Sequence, residues 1–215
     1  MQLCSANLPT GAYAFSQGFE TATHEGWVTS YDDAYEWLDL QLTHSIGATD
    51  LPILLRIMRA LESGNQNDQR HWNQVALAVR ETKELRLTDT ATGEALLRVL
   101  RGLDVSKMAI DFYDGQDASF VSVFALAAYE WGIDEDDACL GYAWSWLENQ
   151  VVAATKLVPL GQTQSQKLLE QLHQGILAAI AIANTYDDDQ IGSSLPALAI
   201  ASCWHEHQYS RLFRS

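Results

Sequence analysis

Residues 142–162, YAWSWLENQVVAATKLVPLGQ, form the stretch that most constrains the fold of this chain. Its apolar residues recur at helical spacing, which predicts one long helix. Trp144 and Trp146 are two residues apart, so they cannot share a face of that helix. Pro159 disfavours helix at the residue before it, so we expect the helix to end near Leu157. A helix that is bulky and apolar on nearly every side is either central to a bundle or shared with a partner subunit.

Other apolar stripes at helical spacing precede and follow this helix. No segment alternates apolar and polar residues in the way that a half-buried strand does. With 215 residues, the chain is long enough to bury a substantial core within one domain. We therefore predict an all-α fold, a single-domain helical bundle of about eight to ten helices, over residues 1–215.

Capping residues and glycines indicate where the early helices begin and end. Ser30 followed by Asp33 resembles a capping box, and the apolar stripe that starts there is predicted to end at Gly47. Ser16 is expected to cap a short helix over residues 17–25.

The same signals apply to the middle and the end of the chain. The charged residues 80–86 are predicted to continue the helix before them, and residues 90–93 to interrupt the helical pattern before another helix begins. Asp134 is expected to cap the long helix. The last helix is predicted to carry Pro196 in its first turn and to run to Phe213.

The charge of the chain excludes two classes of partner. The formal net charge is −15 at pH 7 and the isoelectric point is about 4.6. A chain this acidic does not neutralise the phosphates of a nucleic acid, and an anionic membrane surface does not attract it. We therefore expect no nucleic-acid partner and no membrane partner. A basic protein partner and the handling of cations are both compatible with this charge.

Cysteine usage and hydropathy indicate the compartment. The three cysteines, Cys4, Cys139 and Cys203, are few, odd in number and scattered, so they do not form a disulfide framework. The sequence has no basic-then-apolar leader and no apolar run near the roughly 18 residues that span a bilayer. We expect a soluble, cytoplasmic protein.

The sequence lacks the common catalytic motifs. No glycine is followed by lysine, so a Walker A loop is absent, and neither G-x-S-x-G nor H-E-x-x-H occurs. Glu148 lies in the apolar helix, where a salt bridge to Lys156 or to an arginine is one interpretation and a buried base is the other. An enzyme that uses Glu148 or His24 as its base would still need a nucleophile or an oxyanion site, and none is visible.

Cys203, His205 and His207 form the only cluster with metal-ligand chemistry. On a helix, Cys203 and His207 share a face while His205 points roughly 200° away, so the three cannot bind one ion unless the helix unwinds. We predict no permanent metal site there. A transient contact with nickel stays open, because imidazole and thiolate both suit that ion.

Six strings of the chain, taken together and in order, resemble the UreF family of urease accessory proteins. The resemblance covers nearly the whole chain, and the strings at 144–162 and at 205–215 are the specific ones. The strings are LPTGAYAFSQGFE (8–20), DLPILLRIMRA (50–60), RETKELR (80–86), TGEALLR (92–98), WSWLENQVVAATKLVPLGQ (144–162) and HEHQYSRLFRS (205–215).

The resemblance implies an all-helical adaptor without enzymatic activity and without a cofactor of its own. Members of the family bind the accessory protein UreD on one side and the GTPase UreG on the other. The assembly docks on apo-urease, where nickel is inserted in a GTP-dependent way. The resemblance also implies a homodimer.

Carried over by position, Tyr13 and Arg211 are the residues that the family implicates in recruiting the GTPase. Tyrosine and arginine are also the residue types that most often anchor interfaces. We add Glu20, Tyr209 and Phe213, from the same strings, as partner-binding candidates. The alternatives are that Tyr13 plugs the core and that Arg211 compensates the dipole of a last helical turn.

The long helix is our candidate for the dimer interface, through Tyr142 and Trp144. A twofold contact needs one self-complementary patch, which an apolar helix provides. The alternative to the adaptor is a nickel-binding metallochaperone that carries the metal through the region of Cys203, His205 and His207.

Overall fold

The computed structural model describes residues 2–5, 7–103 and 105–214. Over these residues the chain is helical and contains no β-strand, which confirms the predicted all-α class. The α-helices are α1 (Phe19–His24), α2 (Tyr31–Gln41), α3 (Leu51–Glu62), α4 (Gln66–Ala78), α5 (Lys83–Arg101), α6 (Lys107–Asp111), α7 (Phe120–Glu130), α8 (Glu135–Leu157), α9 (Gln162–Ala183) and α10 (Pro196–His205).

Shorter helical segments complete the fold. A π-helix, Leu42–Asp50, joins α2 to α3, and 3₁₀ turns occupy Gln2–Cys4, Ala12–Ala14 and Asp188–Gln190. Among the helices that the structure describes, none combines the length and the apolarity needed to cross a bilayer.

The most deeply buried helix is α7. All residues from Val121 to Ala128 are buried, because α7 lies between α3 and α5 and also contacts α4 and α8. The long helix α8 packs against α9 and keeps one side partly open, with Leu140 and Val152 exposed and Trp144 half-buried. Local signals set its ends as predicted. Asp134 caps it by accepting the N–H of Asp137 at 2.8 Å, and it stops at Leu157.

The prediction that Gly47 ends a helix is wrong. The capping box is present, with Asp33 N donating to Ser30 Oγ at 3.2 Å and Ser30 N donating to Asp33 Oδ2 at 2.9 Å. The helix that starts there nevertheless continues through the π-helix into α3. Gly47 instead lets α9 approach, since a Cβ at this position would lie 3.0 Å from the Cα of Ala179.

The predicted path of residues 80–93 is also wrong. Helix α4 ends at Ala78, and Thr82 caps α5 by accepting the N–H of Leu85 at 3.1 Å. Helix α5 then runs through residues 90–93 without a break. Gly93 faces the segment before α7, where an added Cβ would lie 2.2 Å from the carbonyl oxygen of Ala118. At this position, glycine therefore lets α5 pack closely against the segment before α7, and it does not end the helix.

Two helix ends near the termini differ from the prediction as well. Helix α1 begins only at Phe19, because Gln17 and Gly18 have left-handed backbone (φ 53° and 83°), and Ser16 accepts the N–H of Glu20 from outside the helix. Helix α10 ends at His205 and does not reach Phe213. The nine residues 206–214 form an irregular segment, which we call the tail.

We predict that Gly93→Ala destabilises the protein by about 1–3 kcal/mol, because the methyl group has no space beside the Ala118 carbonyl. Chemical denaturation followed by circular dichroism measures this change. Gly102→Ala is the matched control, since a Cβ there meets its nearest atom, the Val99 carbonyl oxygen, only at 3.4 Å. Its effect should stay within about 1 kcal/mol. Equal stability of the two variants would contradict the packing role of Gly93.

Candidate functional site

The tail folds back onto the loop that precedes α1. The backbone N–H of Arg214 donates to the carbonyl of Ala14 at 2.8 Å. Two cation–π contacts flank this bond: the guanidinium of Arg214 lies 5.8 Å from the ring centre of Phe15, and the ammonium of Lys156 lies 5.4 Å from that of Phe213. The N-terminal loop, the end of α8 and the tail therefore meet at one place.

Glu20 in α1 makes the main contact with the tail. Its buried carboxylate accepts the backbone N–H of Leu212 at 2.6 Å and that of Phe213 at 2.9 Å. The same carboxylate lies 3.1 Å from Nε2 of His205. Hydrogen bonds to a charged acceptor are among the strongest, so this one side chain fixes the path of the tail backbone.

Glu84, in the first turn of α5, holds the tail from the other side. Its carboxylate is buried, with one oxygen 2.8 Å from Nδ1 of His205 and the other 3.1 Å from Nη1 of Arg211. Arg211 also donates to the backbone carbonyls of Gln208, at 3.1 Å, and Glu206, at 2.7 Å. We call the set Glu20, Glu84, His205 and Arg211 the clasp.

The five predicted partner-binding residues fall into two groups. Tyr13, with 62% of its surface exposed, and Tyr209, which is fully exposed, point outward. Glu20 and Phe213 are buried. The guanidinium of Arg211 donates its hydrogen bonds to acceptors in its own chain. The idea that Tyr13 plugs the core is wrong. Arg211 does not lie in a last helical turn, because α10 ends at His205, but its guanidinium donates to the carbonyl of Glu206, the C-cap residue of that helix.

Sequence reasoning missed two members of the clasp. Glu84 lies in the charged string that was predicted only to continue the preceding helix, and His205 was considered only as a metal ligand. In the structure His205 is fully buried, while Cys203 and His207 are exposed. Over residues 2–5, 7–103 and 105–214, no group of three His, Cys, Asp or Glu side chains is placed to hold a metal ion.

A second buried ionic cluster lies deeper in the bundle. Arg80 pairs with Asp50 at 2.8 Å and with Asp89 at 3.1 Å, and the hydroxyl of Tyr142 donates to Asp50 at 2.8 Å. Burial raises the pKa of Asp89 and raises the pKa of Tyr142 well above its ordinary value. This cluster joins the π-helix, α5 and α8 to the segment between α4 and α5.

A cavity of about 120 Å³ with a mixed polar and apolar lining lies beside this inner cluster. Gln150 contributes a buried amide oxygen without a hydrogen-bond partner in the described part of the chain, a polar acceptor of the kind that internal water serves. Ser45, Thr49, Ser145 and Asn149 add further hydrogen-bonding groups to a lining that also contains apolar side chains. The volume suffices for a few water molecules.

The two predicted dimer residues lie on different sides of α8. Tyr142 is buried in its own chain, with its ring edge-on to Phe124 at 5.2 Å and 89°. Trp144 is half-buried and lies between Leu140 and Val152, four and eight residues away, which are both exposed. Of the two, Trp144 is the residue that a second chain can reach.

Comparison with known proteins identifies the family of this chain. The UreF family model matches residues 28–173. A urease accessory protein UreF from Marinomonas sp. (strain MWYL1) is 51% identical over 215 residues, covering 100% of this chain and 92% of the relative. Proteins of the same name from Chromohalobacter salexigens and Teredinibacter turnerae are 45% and 46% identical over the full chain, covering 93% and 96% of their lengths. With an all-helical fold and these full-length relatives, the chain belongs to the UreF family of urease accessory proteins.

Proposed function

We propose that this chain is a non-catalytic adaptor of urease maturation. It bridges UreD and the GTPase UreG on apo-urease, and so promotes GTP-dependent insertion of nickel into the urease active site. The observation that carries this proposal is the clasp, which holds a tail without regular secondary structure in one conformation. An exposed segment that is already ordered loses less conformational entropy when a partner binds, which favours recognition.

The surface that we assign to UreG consists of Tyr13, Tyr209 and Leu212, which we call the tail surface. All three side chains are largely exposed, and they belong to the two segments that the Arg214–Ala14 hydrogen bond joins. Exposed aromatic side chains on a fixed backbone are the usual anchors of protein interfaces. In this proposal Arg211, Glu20 and Phe213 act indirectly, by holding the tail surface in place.

We assign the homodimer contact to the exposed side of α8. Leu140, Trp144 and Val152 form an apolar stripe there, and a stripe on one helix can pair with its own copy about a twofold axis. Tyr142 supports this helix from inside through its bond to Asp50. We place the protein in the cytoplasm, where its three free cysteines would stay reduced.

Arg211→Ala should abolish retention of UreG while UreD is retained, because the tail loses its bond to Glu84 and two bonds to its own backbone. A pull-down with both partners measures this, and restoration of urease activity in a strain that lacks its own UreF provides the cellular readout. Arg98→Ala is the control, since Arg98 is exposed and its ion pair with Glu94, at 3.8 Å, is of a kind worth little. Retention of UreG by the Arg211 variant would refute the role of the tail.

Tyr209→Ala should weaken UreG binding by about 2 kcal/mol, or roughly 30-fold in Kd, if Tyr209 is an interface anchor. The free energy of unfolding should not change, because the side chain is fully exposed. Calorimetric titration with UreG measures the affinity. Tyr129→Ala, at an exposed tyrosine near the end of α7, is the matched control. Equal affinities of the two variants would exclude Tyr209 as an anchor.

Trp144→Asp should convert the homodimer to a monomer, because it places an unpaired charge at the centre of the proposed apolar contact. Size-exclusion chromatography with light scattering measures the mass. Met108→Asp changes a methionine that is 75% exposed on another helix and should leave the dimer intact. A Trp144 variant that remains dimeric would move the interface away from α8.

A further inference from the structure

His205 has two carboxylate neighbours and satisfies both only when it carries two protons. Nδ1 lies 2.8 Å from Glu84 and Nε2 lies 3.1 Å from Glu20, and ionised carboxylates only accept hydrogen bonds. A neutral imidazole has one N–H donor, so one of its nitrogens would direct a lone pair at a carboxylate oxygen. The imidazolium has two donors and matches both neighbours.

The charges in the clasp lead to the same conclusion. The groups that face His205 are Glu20 from α1 and Glu84 from α5, and Arg211 of the tail faces it through Glu84. Two carboxylates, one guanidinium and one imidazolium sum to zero. With a neutral imidazole the clasp would hold a net negative charge among buried groups, which is unfavourable without a compensating partner. The adjacent hydrogen bond between Thr82 and Ser202 adds no charge.

We propose that the clasp is a proton-dependent latch: His205 holds the tail while it is doubly protonated, and its deprotonation as the pH rises releases the tail and with it the surface for the GTPase. The recruitment half of this inference rests on the function proposed above. The imidazole is the switching member of the clasp because its neutral form keeps only one N–H donor, so the loss of one proton removes one of its two bonds.

The connection from the ring to the tail is direct. The carboxylate of Glu20 accepts hydrogen bonds from Nε2 of His205 and from the backbone N–H groups of Leu212 and Phe213. Without the imidazolium, Glu20 and Glu84 repel each other across the ring, and Glu20 moves towards solvent. This movement weakens its bonds to the tail. Stabilisation of the tail is therefore present on the acidic side of the histidine titration and is lost as the pH rises.

Hydrogen exchange of the tail amides in the intact protein tests the latch. We expect the protection of the Leu212 and Phe213 amides, corrected for the intrinsic pH dependence of exchange, to fall about tenfold or more between about pH 6 and about pH 8.5. Nitrogen-15 spectra of the histidine rings, assigned with a His205→Gln variant, should show both nitrogens of His205 protonated at the lower pH. Unchanged protection, or a neutral His205 ring at the lower pH, would overturn the proposal.

Glu84→Gln separates the latch from general loss of structure. The amide oxygen can still accept from Arg211, while the amide N–H₂ can donate to Nδ1 of a neutral His205. This variant should therefore keep its tail protected at both pH values. His207→Gln, at an exposed histidine two residues away, should retain the pH dependence of the wild type. A Glu84 variant that loses protection with rising pH as the wild type does would overturn the proposal.

Capture of UreG at the same two pH values distinguishes the latch from the proposed function. Retention at the lower pH with loss at the higher one supports both, provided that Glu84→Gln retains UreG at each pH. Equal retention by the wild type at both pH values overturns the link between latch and recruitment. Absence of UreG at every pH refutes the proposed function, and the exchange experiment then decides on the latch by itself.

Discussion

This structure depends on one constraint: buried charged side chains must be paired with groups that lie far away in the sequence. In the clasp, Glu20 and His205 are 185 residues apart along the chain, and Glu84 reaches the tail from α5. Burial of Phe213 and the Arg214–Ala14 hydrogen bond fix the far end of the tail but not the residues before it. Because the carboxylates cannot be buried without donors, they draw in the imidazole, the guanidinium and two backbone N–H groups. Charge pairing therefore helps to order the tail, a segment that helix formation leaves irregular.

The same kind of charge pairing occurs within the core. There it joins the inner cluster, which consists of Asp50, Arg80, Asp89 and Tyr142. Asp50 is the last residue of the π-helix, and π-helical turns often mark positions where a side chain must be aimed at a particular site. Its carboxylate meets Arg80 and Tyr142, so three segments are fixed relative to one another at a single point. The cavity lies against this point, and its lining combines the polar groups of the cluster with apolar side chains such as Ile46 and Phe120.

Features that depend on nearby residues could be predicted from the sequence. The all-α class, the Ser30–Asp33 capping box, the Asp134 cap and the end of α8 at Leu157 all follow from such local signals. Gly47 and Gly93 were misinterpreted because their role is the approach of another element, which is distant in sequence. The clasp was missed for the same reason: a helical spacing relates Cys203, His205 and His207 to one another, but nothing local relates His205 to two glutamates on α1 and α5. Tyr13 and Tyr209, which face outward, were identified as candidates from the strings that resemble the family and not from periodicity.

The arrangement of His205 between Glu20 and Glu84 also has a consequence for the history of the family. A substitution that removes the donor or acceptor at one of these positions leaves a buried partner unpaired, so it should persist only together with a compensating change at another. Glu84→Gln is the exception, because its amide can still accept from Arg211 while it donates to a neutral ring at 205. The three positions, although spread over almost the entire chain, should therefore vary as a single inherited unit among relatives, whereas Tyr209 can change in step with the partner protein alone.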